Sequence, residues 1–279
     1  MKRSAAAVAR GFSSSASSVR SLVVCIHGSP GSERDFRHFA TEFGAHAPGS
    51  KLVCLTQPGY AGREAFLGEP TVDAFAASAW DDIDEWGSAH DPGDGGVFLV
   101  GHSLGGHVAV TAALQRPERV RGVALIAGLG HRPHRALGSK NYPWVRSISR
   151  WLLERQDPVT KPLADALIQS AYRRLGFSKH ISLDEINWSQ RRVCLMDWET
   201  MASRFTKLHT STFQAFATND ILIEEDIFRE MTDILDADGR RHGPRLAFDS
   251  GGHNIQKHQA QTLVPSLVEW MAQIENEDV

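Results

Sequence analysis

"FLVGHSLGGHVAV", residues 98–110, sets one hydroxyl, that of Ser103, among Gly101, Gly105 and Gly106. The apolar run 97–100 reads as a buried strand, and the alanine-rich segment 104–115 as a helix stopped near Pro117. A strand that turns straight into a helix through Gly-x-Ser-x-Gly must hold its serine in a strained backbone conformation. Small flanking residues keep the neighbouring backbone from colliding there. The hydroxyl then projects at the carboxyl end of a sheet, close to a helix N-terminus. Alone the pentapeptide is a weak signal. The strand before it and the helix after it supply the context that separates a nucleophile elbow from an incidental turn.

The same rhythm extends on both sides. Upstream, "SLVVCIHG" predicts a buried strand ending in a glycine turn, and residues 33–43 carry Phe36, Phe39, Ala40 and Phe43 at helical spacing. "KLVCLTQPGYAG" predicts a second strand closed by Pro58 and Gly59, and Thr71 can cap a helix with Phe75, Ala79, Ile83 and Trp86 on one face. Downstream, "RGVALIAGLG" predicts the strand after the elbow helix. Residues 131–210 then show only helical patterns, at 144–154, 164–175 and 183–205. "TFQAFATND" resumes as a strand, followed by a helix at 221–235, a last strand in "RLAFDSGGH" and a closing helix at 256–274. Short apolar runs alternating with helices predict an α/β domain. Its sheet should be mostly parallel and covered on both faces, with 131–210 inserted as a helical cap.

Composition narrows the class further. The chain has 279 residues, a formal net charge of −3 and 42% hydrophobic residues, enough for one domain with a sizeable core. That charge balance gives no global pull towards nucleic acid. No apolar stretch approaches the ~18 residues of a membrane-spanning helix. Cys25, Cys54 and Cys194 are too few and too scattered for a disulfide framework or a zinc site, and no spacing of residues suggests a metal or a cofactor. Residues 1–20 stand apart: they contain Lys2, Arg3, Arg10 and Arg20, and the first carboxylate of the chain is Glu33. An Arg- and Ser-rich, acid-free, amphipathic start has the profile of a mitochondrial transit peptide, so a mitochondrial location is the expectation; the alternative is a disordered tail in a cytoplasmic protein. The domain is expected to occupy 21–279.

From about Ser21 onward the chain resembles the α/β-hydrolase superfamily. "HGSPGS" is similar to the family's His-Gly oxyanion turn, "QPGYAG" stands where a related loop usually carries an acid in place of Gln57, and "GHSLGG" resembles the elbow of its lipases, esterases and thioesterases. The resemblance implies a nucleophile, acid and base in the chain order Ser, Asp or Glu, His. Ser103 is the implied nucleophile. His253, after the last strand and a glycine pair, is the strongest base among 13 histidines, and Asp220, ending the strand before it, is the matching acid. Glu224 and Glu225 fit helix N-terminal charges better, and no acid lies between Glu118 and Glu154 to offer the other position used in the family. His27, His102 and His107 are expected to pack or line the site. The backbone N–H groups of Ser29 and Leu104 are the implied oxyanion donors.

A serine nucleophile implies an acyl-enzyme, unlike the aspartate of dehalogenases and epoxide hydrolases on this fold. The expected substrate is therefore a small-molecule ester or thioester with an apolar acyl group. Alternatives are an acyltransferase, an aminopeptidase similar to the proline iminopeptidases with their HGGPG turn, or a non-catalytic ligand-binding member of the fold. In the cap, "WVRSISRWLLER" places Trp144, Ile148 and Trp151 on one helical face, which makes them the expected acyl-pocket wall. Cations outnumber Glu154 and Asp157 across 131–161. Contact of this basic face with anionic lipid is the less favoured reading, because one short helix gives only modest interfacial affinity. No motif speaks to oligomeric state.

A fusion of residues 1–20 to a fluorescent protein should enter mitochondria, and replacing Arg3 and Arg10 by Glu should prevent it; cytosolic fluorescence from the unaltered fusion would contradict the targeting reading.

Overall fold

The computed structural model describes residues 20–90, 96–134, 142–237 and 243–277. Residues 1–19, on which the targeting expectation rests, lie outside the described residues. Strands β1 (Leu22–Ile26), β2 (Leu52–Leu55), β3 (Val97–His102), β4 (Val120–Ile126), β5 (Ser211–Ala217) and β6 (Arg245–Phe248) form one sheet in the order β2-β1-β3-β4-β5-β6, with every pairing parallel. The helices are α1 (Arg37–His46), α2 (Val72–His90), α3 (Leu104–Gln115), α4 (Tyr142–Leu153), α5 (Thr160–Arg174), α6 (Leu183–Cys194), α7 (Trp198–Lys207), α8 (Glu225–Asp236), α9 (Ile255–His258) and α10 (Ala260–Glu277). This is the parallel α/β sheet that the alternation of apolar runs and helices predicts, and it fits the α/β-hydrolase arrangement that the resemblance implies.

The two faces follow from the strand period of two. On β3, Phe98 packs against Trp270 of α10, whereas Gly101 lies against the backbone of Gly105 and Gly106 in α3. α10 and its neighbour α1 therefore cover one face, and α3 covers the other together with α2, α7 and α8. β1 and β3 are buried along their whole length, as a sheet covered on both sides requires. α3 is buried nearly all round, which explains its run of Gly, Ala and Val in place of an amphipathic stripe. Thr71 caps α2 by accepting from the Ala74 N–H at 3.2 Å.

Four predicted elements are divided or shortened, among them the closing helix 256–274, which breaks at Gln259 into α9 and α10. Residues 33–43 form a 3-10 turn, Glu33–Phe36, running into α1. Residues 183–205 split into α6 and α7 because the Asp197 side chain accepts from the Thr200 N–H at 3.0 Å and starts a new helix. Residues 221–224 precede α8, because the Asp220 carboxylate takes the N–H groups of Leu222 and Ile223 at 2.8 and 3.2 Å and draws them out of the helix.

The inserted segment divides by packing. α4, α5 and α6 surround a small core of Ile168, Tyr172 and Ile186, with Leu152 and Leu153 against it. α7 instead sends Met201 and Phe205 into the main core, and its Arg204 pairs with Asp73 at 2.8 Å and donates to Thr111 at 2.9 Å. The cap is anchored through α6: Trp188 Nε1 donates to the Pro58 carbonyl at 2.9 Å, and Glu185 accepts from the Ala61 N–H at 2.7 Å. Among the described residues no helix is long and apolar enough to cross a membrane.

A methyl group added at Gly105 would lie 2.2 Å from the carbonyl oxygen of Ile26, whereas one at Gly44 on α1 meets nothing within 4 Å. Gly105→Ala should therefore cost about 1–3 kcal/mol of stability and Gly44→Ala should gain up to ~1 kcal/mol. Urea denaturation midpoints check both; an unmoved midpoint for Gly105→Ala would contradict the close approach of α3 to β1.

Candidate active site

Ser103 sits between β3 and α3 at φ 53° and ψ −126°, in the left-handed half of backbone space. Three contacts hold it there. Its N–H donates to the Ile126 carbonyl at 3.2 Å, and its own carbonyl accepts from Gly106 and Leu129 at 2.9 and 3.0 Å. The glycines around it have no room for a side chain: a methyl at Gly101 would meet the Gly105 carbonyl at 2.5 Å, and one at Gly28 would meet Ser103 Cβ at 2.9 Å. Leu104 opens α3, so its N–H has no intrahelical acceptor.

His253 and Asp220 meet across the ends of β5 and β6. Asp220 follows β5 in a turn, its side chain fully buried, and one of its oxygens accepts from His253 Nδ1 at 2.8 Å. Its other oxygen is held by Leu222 and Ile223, so the carboxylate is fixed from both sides. His253 keeps 11% of its side chain exposed. Its loop bends back through Gly251 at φ 119° and Gly252 at φ 56°, conformations that favour glycine. Asn219 secures that loop by accepting from the Gly252 N–H at 2.9 Å. His102 donates from Nε2 to the His253 carbonyl at 2.8 Å.

Ser103, His253, Gly28 and Ser29 open on one cavity of about 820 Å³. Leu175, Phe177 and Ile181, all from the α5–α6 connection, cover it from the cap, and Ile221 and Leu222 also line it. Arg34, Asp35 and Lys257 make the opposite wall polar, Lys257 pairing with Asp35 at 2.7 Å. Trp144, Ile148 and Trp151 do not line this cavity. They are 73%, 43% and 54% exposed on the outside of α4. The helix is apolar on two sides, and Leu152 and Leu153 take the inward one. The expectation that these three wall the pocket is corrected accordingly.

His180 also lines the cavity, whereas His27 and His107 have structural surroundings. The Gln57 N–H donates to His27 Nε2 at 3.0 Å, which leaves the proton on Nδ1 to bond the Gly28 carbonyl at 2.6 Å. Gln57 also donates from its side chain to the His27 carbonyl at 2.5 Å, so the residue standing in place of an acid ties down the turn that carries Ser29. His107 donates to the Gly130 carbonyl at 2.8 Å. Glu224 is buried at the start of α8 and pairs with Arg132 at 3.3 Å, outside the Asp220–His253 pair. Two side chains near the turn after β1 give little signal in the sequence. Tyr60 places its hydroxyl 2.5 Å from Ser29 Oγ, and Arg192 of α6 bonds the Leu104 carbonyl at 3.4 Å. Arg192 continues the spacing of Ile186 and Ser189, and a cation on the buried face of a cap helix is the one clue to it.

A model of the alpha/beta hydrolase family matches residues 23–264, and the chain belongs to that family. Among solved structures it is similar to the haloalkane dehalogenase DbeA from Bradyrhizobium elkani USDA94, with a TM-score of 0.66 and 18% identity over 92% of this chain and 91% of that one. It is also similar to an esterase from Exiguobacterium antarcticum, with a TM-score of 0.61 and 18% identity over 90% and 91% of the two chains. At such identities the likeness is one of fold. In sequence, a 112-residue stretch is 32% identical to the 1-acylglycerol-3-phosphate O-acyltransferase of Arabidopsis thaliana. That stretch is 39% of this chain, and the chain spans about a quarter, 25%, of the length of the curated relatives it matches.

Burial pushes the imidazoles of His27 and His107 down from 6.5 to about 4. They are neutral when folded and take up protons once unfolded, so between about pH 6.5 and pH 4 the unfolded chain binds more protons. Stability should fall as pH drops through that window, with a slope approaching ~1.4 kcal/mol per pH unit for each imidazole. His107→Gln should remove one imidazole's share of the slope in urea denaturation across pH 4–7; an unchanged slope would mean that His107 carries its proton in the folded protein.

Proposed function

We propose that the protein is a serine hydrolase that cleaves a carboxylic ester or thioester with an apolar acyl group through an acyl-enzyme. The observation that carries this reading is the opening of Ser103 and the Asp220-oriented His253 onto one cavity beside the Ser29 turn. The strained elbow supports it as well, since a serine is held at such a backbone angle only where the surroundings require it.

In the proposed reaction Ser103 Oγ attacks the carbonyl carbon while His253 Nε2 takes its proton. The Asp220 carboxylate holds the ring by Nδ1–H and stabilises the imidazolium that forms. The carbonyl oxygen, now an oxyanion, accepts from the N–H groups of Leu104 and Ser29. Collapse breaks the bond to the alcohol or thiol, which leaves with the proton from His253. Water then enters, gives a proton to His253 and its oxygen to the acyl carbon, and the second collapse returns the proton to Ser103. The apolar wall of Leu175, Phe177, Ile181, Ile221 and Leu222 is suited to an acyl chain. An acyltransferase would use the same intermediate with an alcohol in place of water, and the partial likeness to the Arabidopsis enzyme favours keeping that second reading.

Activity on p-nitrophenyl esters and acyl-CoA thioesters of graded chain length tests the proposal, with glycerol-type acceptors added to measure transfer against hydrolysis. Asp220→Asn should lower turnover by orders of magnitude, ~10⁴-fold in the related case of an orienting aspartate. Glu224→Gln, whose partner is Arg132, should cost far less. The reverse ranking would assign the orienting role to Glu224.

A further inference from the structure

Arg192 is 1% exposed, on the face of α6 that turns into the protein beside Ser189. Its guanidinium lies over the Phe75 ring, 4.0 Å from the centroid. Nη2 donates to the Leu104 carbonyl at 3.4 Å, and its neighbour on the same helix face, Ser189, donates to the Tyr60 hydroxyl at 3.3 Å. Nε and Nη1 are buried with no hydrogen-bond partner. Among the described residues no carboxylate lies within ion-pair distance of it, whereas Arg63, Arg204 and Arg245 each hold an aspartate.

An arginine stays charged in a protein interior, and a buried charge without a counter-charge destabilises the fold. The position of this one gives the cost a purpose. Leu104 follows the elbow serine, and the Tyr60 hydroxyl that Ser189 bonds is 2.5 Å from Ser29 Oγ. The cation therefore borders Leu104, one of the two residues whose N–H groups face the oxyanion in the reaction proposed above, and its helix face reaches the other, Ser29, through Ser189 and Tyr60. It does not line the cavity at Ser103, so substrate has no path to it in this arrangement.

We infer that Arg192 is a positioning residue for acyl transfer, whose positive charge, unmatched in the resting protein, is matched when the oxyanion forms. It touches no reacting atom. It acts through the Leu104 residue, whose carbonyl it holds, and through the field it adds at the pocket in a low-dielectric interior. That field is felt by its neighbours: the same charge opposes protonation of both His27 and His107. An interaction present only when negative charge develops lowers the barrier without tightening ground-state binding.

The inference rests on the serine-hydrolase reading, and one experiment on the full chain separates the two. Wild type, Ser103→Ala, R192M and R192K are compared for kcat and KM on p-nitrophenyl butyrate and on p-nitrophenyl esters whose acyl group ends in a carboxylate, alongside urea denaturation. R192M should lose about a hundredfold in kcat, the scale of a lost oxyanion-hole donor, with KM little changed. Its denaturation midpoint should be equal to wild type or higher, because an unmatched buried charge has been replaced by a methionine of similar volume. R192K, which keeps a charge but not the fork of donors, should fall between the two in kcat. A lower midpoint for R192M with kcat intact in the folded fraction would overturn the inference in favour of a packing role. A defect confined to the carboxylate-bearing esters would overturn it in favour of a subsite for substrate anions. Ester turnover by wild type that Ser103→Ala abolishes keeps the hydrolase reading standing whichever way Arg192 falls; a wild type without such turnover would remove both.

Discussion

A serine at φ 53° between a buried strand and a buried helix adopts a conformation that side chains take up only at a cost, and it persists because the surrounding backbone leaves no alternative. The constraint is steric. α3 approaches β1 so closely that Gly105 presses on the Ile26 carbonyl, and β3 meets α3 at Gly101 with equal closeness. Lengthening either contact by one methyl would lift α3 off the sheet, and with it the N–H of Leu104. The carboxyl ends of the parallel strands, the glycine turn after β1 and the returning loop after β6 all converge on this point. The apolar burial of β1, β3 and α3 supplies the stability that the strained residue consumes.

How much of this was legible beforehand depends on whether the signal was local. The elbow, the strands and the α3 boundaries are written in short apolar runs, glycines and Pro117, and the structure reproduces them almost residue for residue. The pairing of Asp220 with His253 could be anticipated only from chain order within the resembled family, because nothing local relates two residues on separate strand ends. The breaks at 195–197 and 221–224 were hidden by continuous apolar periodicity. Each is caused by a single aspartate side chain, Asp197 or Asp220, capturing backbone N–H groups. The cap was misjudged in orientation. Trp144 and Trp151 are larger than Leu152 and Leu153 and looked like the buried set, yet the smaller leucines fit the cap's own core and the tryptophans were left outside.

Polar groups around the turn after β1 form a network that composition does not announce. Gln57 fixes the tautomer of His27, Tyr60 reaches Ser29, and Arg192 reaches Leu104 from the cap. Cap and core are thereby joined at the pocket itself as well as at Trp188 and Glu185.

The most direct measurement of the central claim is the identity of the residue modified by a fluorophosphonate, which traps a nucleophile that is being deprotonated by a neighbouring base. Peptide mapping by mass spectrometry of the labelled full-length protein should place the phosphonyl group on Ser103 alone, and acid or urea unfolding before exposure should abolish the label. A label on any other residue, or an unlabelled Ser103 in a protein that turns over esters, would contradict the account.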